Sequence, residues 1–174
     1  MDERALSRED VLEIRAEDCP MMVFSYGIGD FISAAIVTKT HGFYNHFMWL
    51  LEPGVLATQD WWFRKIPVEK YLDRHLLKFV YGINWGPEER AKITASIEAD
   101  LARPWYQNIY DLPAIVGQML DIKWLQTPGI EICSDKAKHL NDPDYTLKHA
   151  NPTDVNIYTK TCGKYAVYGR FRPD

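Results

Sequence analysis

No apolar run in the sequence approaches the ~18 residues that a membrane-spanning helix needs, so stable membrane insertion is not expected. No cluster of lysine and arginine stands out, and the formal charge is −4, which argues against nucleic acid or an anionic membrane as the partner. Cysteine is scarce. Cys19, Cys133 and Cys162 form no C-x-x-C pair, which speaks against a zinc knuckle or a dithiol redox motif. An odd number of thiols fits a reducing compartment, the alternative being one Cys19–Cys162 disulfide. Met1-Asp2-Glu3-Arg4 lacks the apolar core of a secretion signal, and a cytoplasmic setting is the expectation. Gly27-Ile28-Gly29 has no strand–helix phosphate context, so no nucleotide cofactor is predicted, and no internal repeat or low-complexity segment is present.

What the chain does have is apolar mass and aromatic rings. At 174 residues with 47% hydrophobic content it can bury a core without staples, and it reads as one domain over 1–174. Residues 1–20 read as an N-terminal extension, with Ser7-Arg8-Glu9-Asp10 capping a short, loosely packed helix, and 21–174 form the core. Strands are predicted over 21–26, 31–38, 46–51, 55–59, 76–81 and 165–171, with an extended run at 61–66. Pro53-Gly54 closes a hairpin between two of them. Pro67 opens a short helix. Gly86-Pro87-Glu88-Glu89 starts a longer one whose Ile93, Ile97 and Leu101 share a face. Further helices are predicted over 112–120 and 134–140, and another short element starts at Asn151-Pro152. Helices and antiparallel hairpins in segregated runs argue an α+β fold.

Cys133 is the leading chemical candidate. Polar Ser134-Asp135-Lys136 follow it as at a helix start, where unpaired N–H groups and the helix dipole favour thiolate and can hold an oxyanion. The competing reading is a buried cysteine acting as a small apolar filler. His46, opening the strand 46–51, is the candidate base, because an imidazole with a pKa near 6.5 can accept the thiol proton near neutral pH. The returning strand brings Gln59, Thr58 or Asp60 level with it to orient the ring. Gln59 is preferred, and a one-residue slip in register would hand the role to Thr58. His41, in the loop before His46, and Trp61, beside Trp62, are candidate substrate contacts. His75, His139 and His149 read as solvated, and the dispersed Lys and Arg as a solvated face. A metal pair of His41 and His46 lacks a carboxylate at ligand spacing, so no metal is predicted.

Taken in order, Gly29-Asp30-Phe31-Ile32, His46 opening a strand, Pro53-Gly54, a returning strand and Ile132-Cys133-Ser134-Asp135 resemble the circularly permuted branch of the NlpC-type, papain-like cysteine hydrolases. Tyr110-Asp111 resembles the Tyr-Asp element ahead of the family's cysteine. Asn151-Pro152-Thr153-Asp154-Val155 resembles its Pro-containing segment after the cysteine helix. Asp135 stands where the family usually has Glu, and the returning strand Val55-Leu56-Ala57-Thr58-Gln59 leaves the orienting residue open. The resemblance implies a papain-like fold: an antiparallel sheet with the cysteine helix packed against it. It also implies a cysteine peptidase or amidase using Cys133, His46 and Gln59 or Thr58, with Tyr110 as a second oxyanion donor and a peptide or acyl-type substrate. Cell-wall-type peptide amides are the substrate class it suggests. The alternatives are an acyltransferase or thioesterase-like enzyme on acyl or isopeptide bonds, and a non-catalytic binding module on the same fold.

Overall fold

The computed structural model describes residues 4–27, 43–109, 111, 113, 133–140 and 151–173. The strands predicted over 31–38 and the helix over 112–120 lie outside the described residues, apart from Pro113. The described chain runs β1 (Ala5–Leu6), α1 (Arg8–Leu12), β2 (Met21–Gly27), β3 (His46–Glu52), β4 (Val55–Gln59), β5 (Phe63–Pro67), α2 (Glu69–Leu72), β6 (His75–Gly82) and α3 (Pro87–Leu101). It ends with the cysteine helix (Cys133–Leu140), α4 (Pro152–Thr161) and β7 (Tyr165–Phe171); short 3₁₀ turns lie at Ala16–Asp18, before β2, and at Trp105–Gln107, after α3. The cysteine helix is itself 3₁₀ rather than α-helical.

The seven strands form one sheet in the order β1-β7-β6-β2-β3-β4-β5. Every pairing is antiparallel except β1 with β7. This is a mixed α/β architecture built on a mostly antiparallel sheet. β2 and β3 sit centrally and are buried along most of their length, which is why they read as near-continuous apolar runs rather than alternating ones. Among the described residues no helix is long and apolar enough to cross a membrane.

Strand parity divides the core in two. One face of the sheet carries Met21, Val23, Met48, Leu50, Leu56, Leu77 and Phe79, covered by Val11 of α1 and Tyr71 and Leu72 of α2. The other carries Met22, Phe24, Phe47, Trp49, Ala57, Phe63 and Val80. It is covered by Ile93 and Ile97 of α3, Ala137 and Leu140 of the cysteine helix, and Val155 of α4. The N-terminal segment does not pack loosely. Leu6, Val11 and Ile14 are buried in the first of these clusters, and α1 has a complete capping box between Ser7 and Asp10. An uncapped five-residue helix is not stable in water, so α1 depends on that burial and on its cap.

Candidate active site

The site is decided by register. Pro53 and Gly54 turn the β3–β4 hairpin, with Gly54 at φ 74°, a conformation that glycine adopts without penalty. Glu52 pairs with Val55 at the turn, but Leu50 pairs with Leu56 and Trp49 with Ala57. The ladder therefore absorbs one extra residue, Leu51, as a bulge. Without the bulge the turn register would put Gln59 opposite Met48, on the face that His46 shares. With it, Thr58 takes that face and Asp60 comes level with His46. The expectation that Gln59 orients His46 is thus corrected: its side chain lies on the other face, where Nε2 donates to the Ile109 carbonyl at 3.1 Å.

His46 Nε2 lies 2.7 Å from Thr58 Oγ1. The Thr58 hydroxyl is 3.3 Å from Asp60 Oδ1, and the Tyr71 hydroxyl donates to the same carboxylate oxygen at 2.7 Å. The tautomer follows from counting protons. Tyr71 gives its proton to Asp60. Thr58 has one proton, and the Asp60 carboxylate draws it. Thr58 Oγ1 then accepts from His46 Nε2–H, and the lone pair of the neutral ring is left on Nδ1. The Tyr71 ring stacks parallel to the imidazole at 6.3 Å between centroids, and Arg64 reaches the second Asp60 oxygen at 3.5 Å. The Tyr71 phenol is pushed well above its usual pKa, first by burial and then by the Asp60 charge, with the charge of Cys133 acting the same way. Tyr71, which sequence reasoning missed, therefore bonds Asp60 and stacks beside His46. Its only signal in the sequence was a position on a short helix.

Cys133 begins the cysteine helix, which packs on the Trp49 face of β3, opposite to the face carrying His46. His46 is the first residue of β3, and the cysteine helix spans Cys133–Leu140. The expected partial exposure of the thiol is corrected, for Cys133 is 1% exposed. It is enclosed because the helix is drawn down onto the sheet by two anchors. Trp49 Nε1 donates to the Lys136 carbonyl at 3.0 Å. Asp100 of α3 then gathers cations: Lys136 Nζ at 2.8 Å and Lys138 Nζ at 3.2 Å on one oxygen, and Arg103 at 3.1 Å on the other.

His139 completes this cluster and overturns the reading of it as solvated. It is buried, with Nε2 3.2 Å from Asp100 and Nδ1 2.9 Å from the Ser96 hydroxyl. Burial lowers its pKa against the opposing pull of Asp100. A neutral ring accepts from the Ser96 hydroxyl at Nδ1, while Nε2 approaches the carboxylate without hydrogen-bond geometry. Burial would raise the Asp100 pKa, but His139 and the two lysines outweigh it and hold the carboxyl well below its usual range. Lys136 and Lys78 are fully buried, which also corrects the reading of the basic residues as a solvated face. Lys136 Nζ sits 4.3 Å over the Phe63 ring, and Lys78 donates to Asn156 at 2.7 Å.

Of the remaining candidates, Trp61 is exposed beside Trp62, whose ring carries the Arg64 guanidinium at 4.6 Å. His75 is half-buried and packs its ring 4.6 Å from Tyr71. His41, Tyr110 and His149, with the Gly29-Asp30 element, lie outside the described residues. No cysteine is in a disulfide, so Cys19 and Cys162 are not joined. Burial pushes the Cys19 thiol up to about 12. Among the described residues no three His, Cys, Asp or Glu side chains gather as metal ligands. In comparison with known proteins, the chain matches no family model and no curated protein.

Proposed function

We propose that the protein is a cysteine hydrolase of the permuted papain-like kind, acting on peptide or related amide bonds. The observation that carries this reading is the held imidazole: His46 Nε2 is tied through Thr58 to Asp60 and Tyr71. A nucleophile, a base and a group that fixes the base are the parts acyl transfer needs. With Nε2 protonated and held, Nδ1 accepts the Cys133 proton. The thiolate adds to the carbonyl carbon, and the imidazolium gives that proton to the departing amine as the C–N bond breaks. Water, deprotonated by the same Nδ1, then releases the acyl group and restores the thiol. On this reading the N–H groups at the start of the cysteine helix receive the oxyanion.

A second reading is favoured by one observation, the near-complete burial of Cys133. On it the fold is a binding module and the thiol a small core residue. Alkylation separates the two. If Cys133 is catalytic, iodoacetamide labels it at least about tenfold faster than half-buried Cys162. His46→Ala slows that labelling, and Cys19 stays inert. Labelling of Cys133 that is slower than that of Cys162 and indifferent to His46→Ala would sink the hydrolase.

A further inference from the structure

Trp61, Trp62, Trp105 and Tyr106 make up four of the seven large apolar side chains exposed among the described residues; Trp62 and Trp105 line one groove, and the Tyr106 ring lies 6.2 Å from that of Trp105. Exposed aromatic area on that scale is costly to hydrate and marks a surface that is covered in use. There Trp62, Arg64, Lys65, Glu98, Arg103 and Trp105 line an open groove with a cavity volume of about 450 Å³, between β5 and the end of α3. The groove continues the candidate active site through the chain itself: Asp60 is followed by Trp61 and Trp62, and Arg64 spans from Asp60 to the Trp62 ring.

Two further features define what fits. The first is a strand edge left open among the described residues, where β5 is the last strand of the sheet. Phe63 N–H donates outward to the Asn108 carbonyl at 2.8 Å, so Phe63 makes no ladder bond with Gln59. By alternation Lys65, opposite Ala57, also turns its N–H and C=O outward, and Pro67, opposite Val55, has no N–H to give. Asn108 and Ile109 thus begin a pairing that Lys65 can extend by one residue before Pro67 ends it. The second feature is charge. Arg64, Lys65 and Arg103 line the groove; Lys65 is held by Glu98 at 2.6 Å and Glu52 at 3.6 Å, and Arg64 by Asp60, which leaves Arg103 as the open cation. Asp100, the partner of Arg103, is already shared with Lys136 and Lys138, so the guanidinium is only partly neutralised.

We infer that this groove binds an extended, acidic peptide with large apolar side chains, main chain along the Lys65 edge, aromatic residues against Trp62 and Trp105, and a carboxylate toward Arg103. It depends on the hydrolase reading only for calling that peptide the substrate. Main-chain pairing supplies the common grip and the aromatic slots the selectivity, as in other strand-edge recognition.

The test is calorimetric titration of the Cys133→Ala protein with a blocked short peptide alternating phenylalanine and aspartate. The expected result is saturable binding that weakens at least about tenfold when lysine replaces aspartate, when alternate amides are N-methylated, or in Trp105→Ala. Lys65→Glu, on an exposed side chain, weakens it similarly and guards against misfolding of the tryptophan variant. Absence of binding, binding indifferent to the aspartates or the N-methyl groups, or tighter binding of dodecanoate than of the peptide overturns the inference. Peptide binding that persists while Cys133 fails the alkylation test leaves the groove standing and removes only the hydrolase.

Discussion

The molecule contains two ringed aspartates that look alike in a contact diagram and differ in kind. Asp100 has a side chain 3% exposed, surrounded by Lys136, Lys138, Arg103 and His139. Asp60 has a side chain 29% exposed and is approached mainly by neutral donors, Tyr71 and Thr58, with one guanidinium at its margin. The first arrangement is static. Asp100 and Lys136 are desolvated together, and removing the carboxylate strands the buried ammonium, so the pair serves to fix the cysteine helix onto α3. The second can respond. Hydroxyls rotate, a proton can be redistributed, and the imidazole at its end can change charge without leaving a bare ion in the core. A hinge-pin and a relay are made from the same residue type by differences in burial and donor charge.

The sharpest way to break that comparison is Asp100→Asn. It keeps shape and removes the charge, stranding the buried Lys136 ammonium at a cost of about 3–5 kcal/mol. The midpoint of urea unfolding reads this. A change below about 1 kcal/mol, the scale of one ordinary hydrogen bond, would mean the cluster is not a clamp. Lys136→Met should cost far less than Asp100→Asn, because an apolar stem of similar length replaces the buried cation while Arg103 and Lys138 still serve Asp100.

Thr58→Val probes the relay. It preserves volume and cuts the link between His46 and Asp60, so Cys133 alkylation should slow by about tenfold, the effect of losing roughly 1.4 kcal/mol of orientation. Gln59→Leu, one residue away on the opposite face, should leave the alkylation rate nearly unchanged. Equal effects of the two substitutions would return the orienting role to an open question of register.

The smallest expected effect is the pH response of the clamp. A folded imidazole with a lowered pKa binds fewer protons than the unfolded one, so stability falls as pH drops below the unfolded value near 6.5. The loss continues down to the lowered folded value. Asp100 adds its own loss at lower pH still, once the unfolded carboxyl begins to protonate near 4. His139→Gln should flatten the dependence of melting temperature on pH just below 6.5. A melting temperature equally steep there in both proteins would show that His139 does not titrate as its burial requires.

Much of the secondary structure was legible because it rests on local signals. The Pro53-Gly54 turn, the Pro87 start of α3 and the four-residue spacing of Ile93 and Ile97 each act over a few residues, and each produced its element. The register of β4 was not legible. A bulge at Leu51 has no distinctive residue to announce it, yet it exchanges Gln59 for Thr58 at the site. Tyr71 and the His139–Asp100 contact were hidden for a different reason. They join segments far apart in the chain, and nothing in the residues around His139 distinguishes a buried imidazole from a solvated one. His46 and Cys133 were singled out by their places at the start of elements, and both do occupy first positions. The enclosure of Cys133 was missed because it follows from anchors three and six residues further on.

Those anchors give the winding of the cysteine helix a consequence of its own. In a three-residue turn, side chains at i, i+3 and i+6 eclipse one another. Cys133, Lys136 and His139 therefore stand in one column, all buried, while Asp135 and Lys138 look outward. The column is about 12 Å tall at a rise near 2.0 Å per residue. Rewound as an α-helix it would shorten to about 9 Å, and His139 would swing about 120° from the azimuth of the thiol. The thiol is thus aimed by pitch: any change that lets this segment relax to 3.6 residues per turn must either release His139 from Asp100 or rotate the sulfur out of that column.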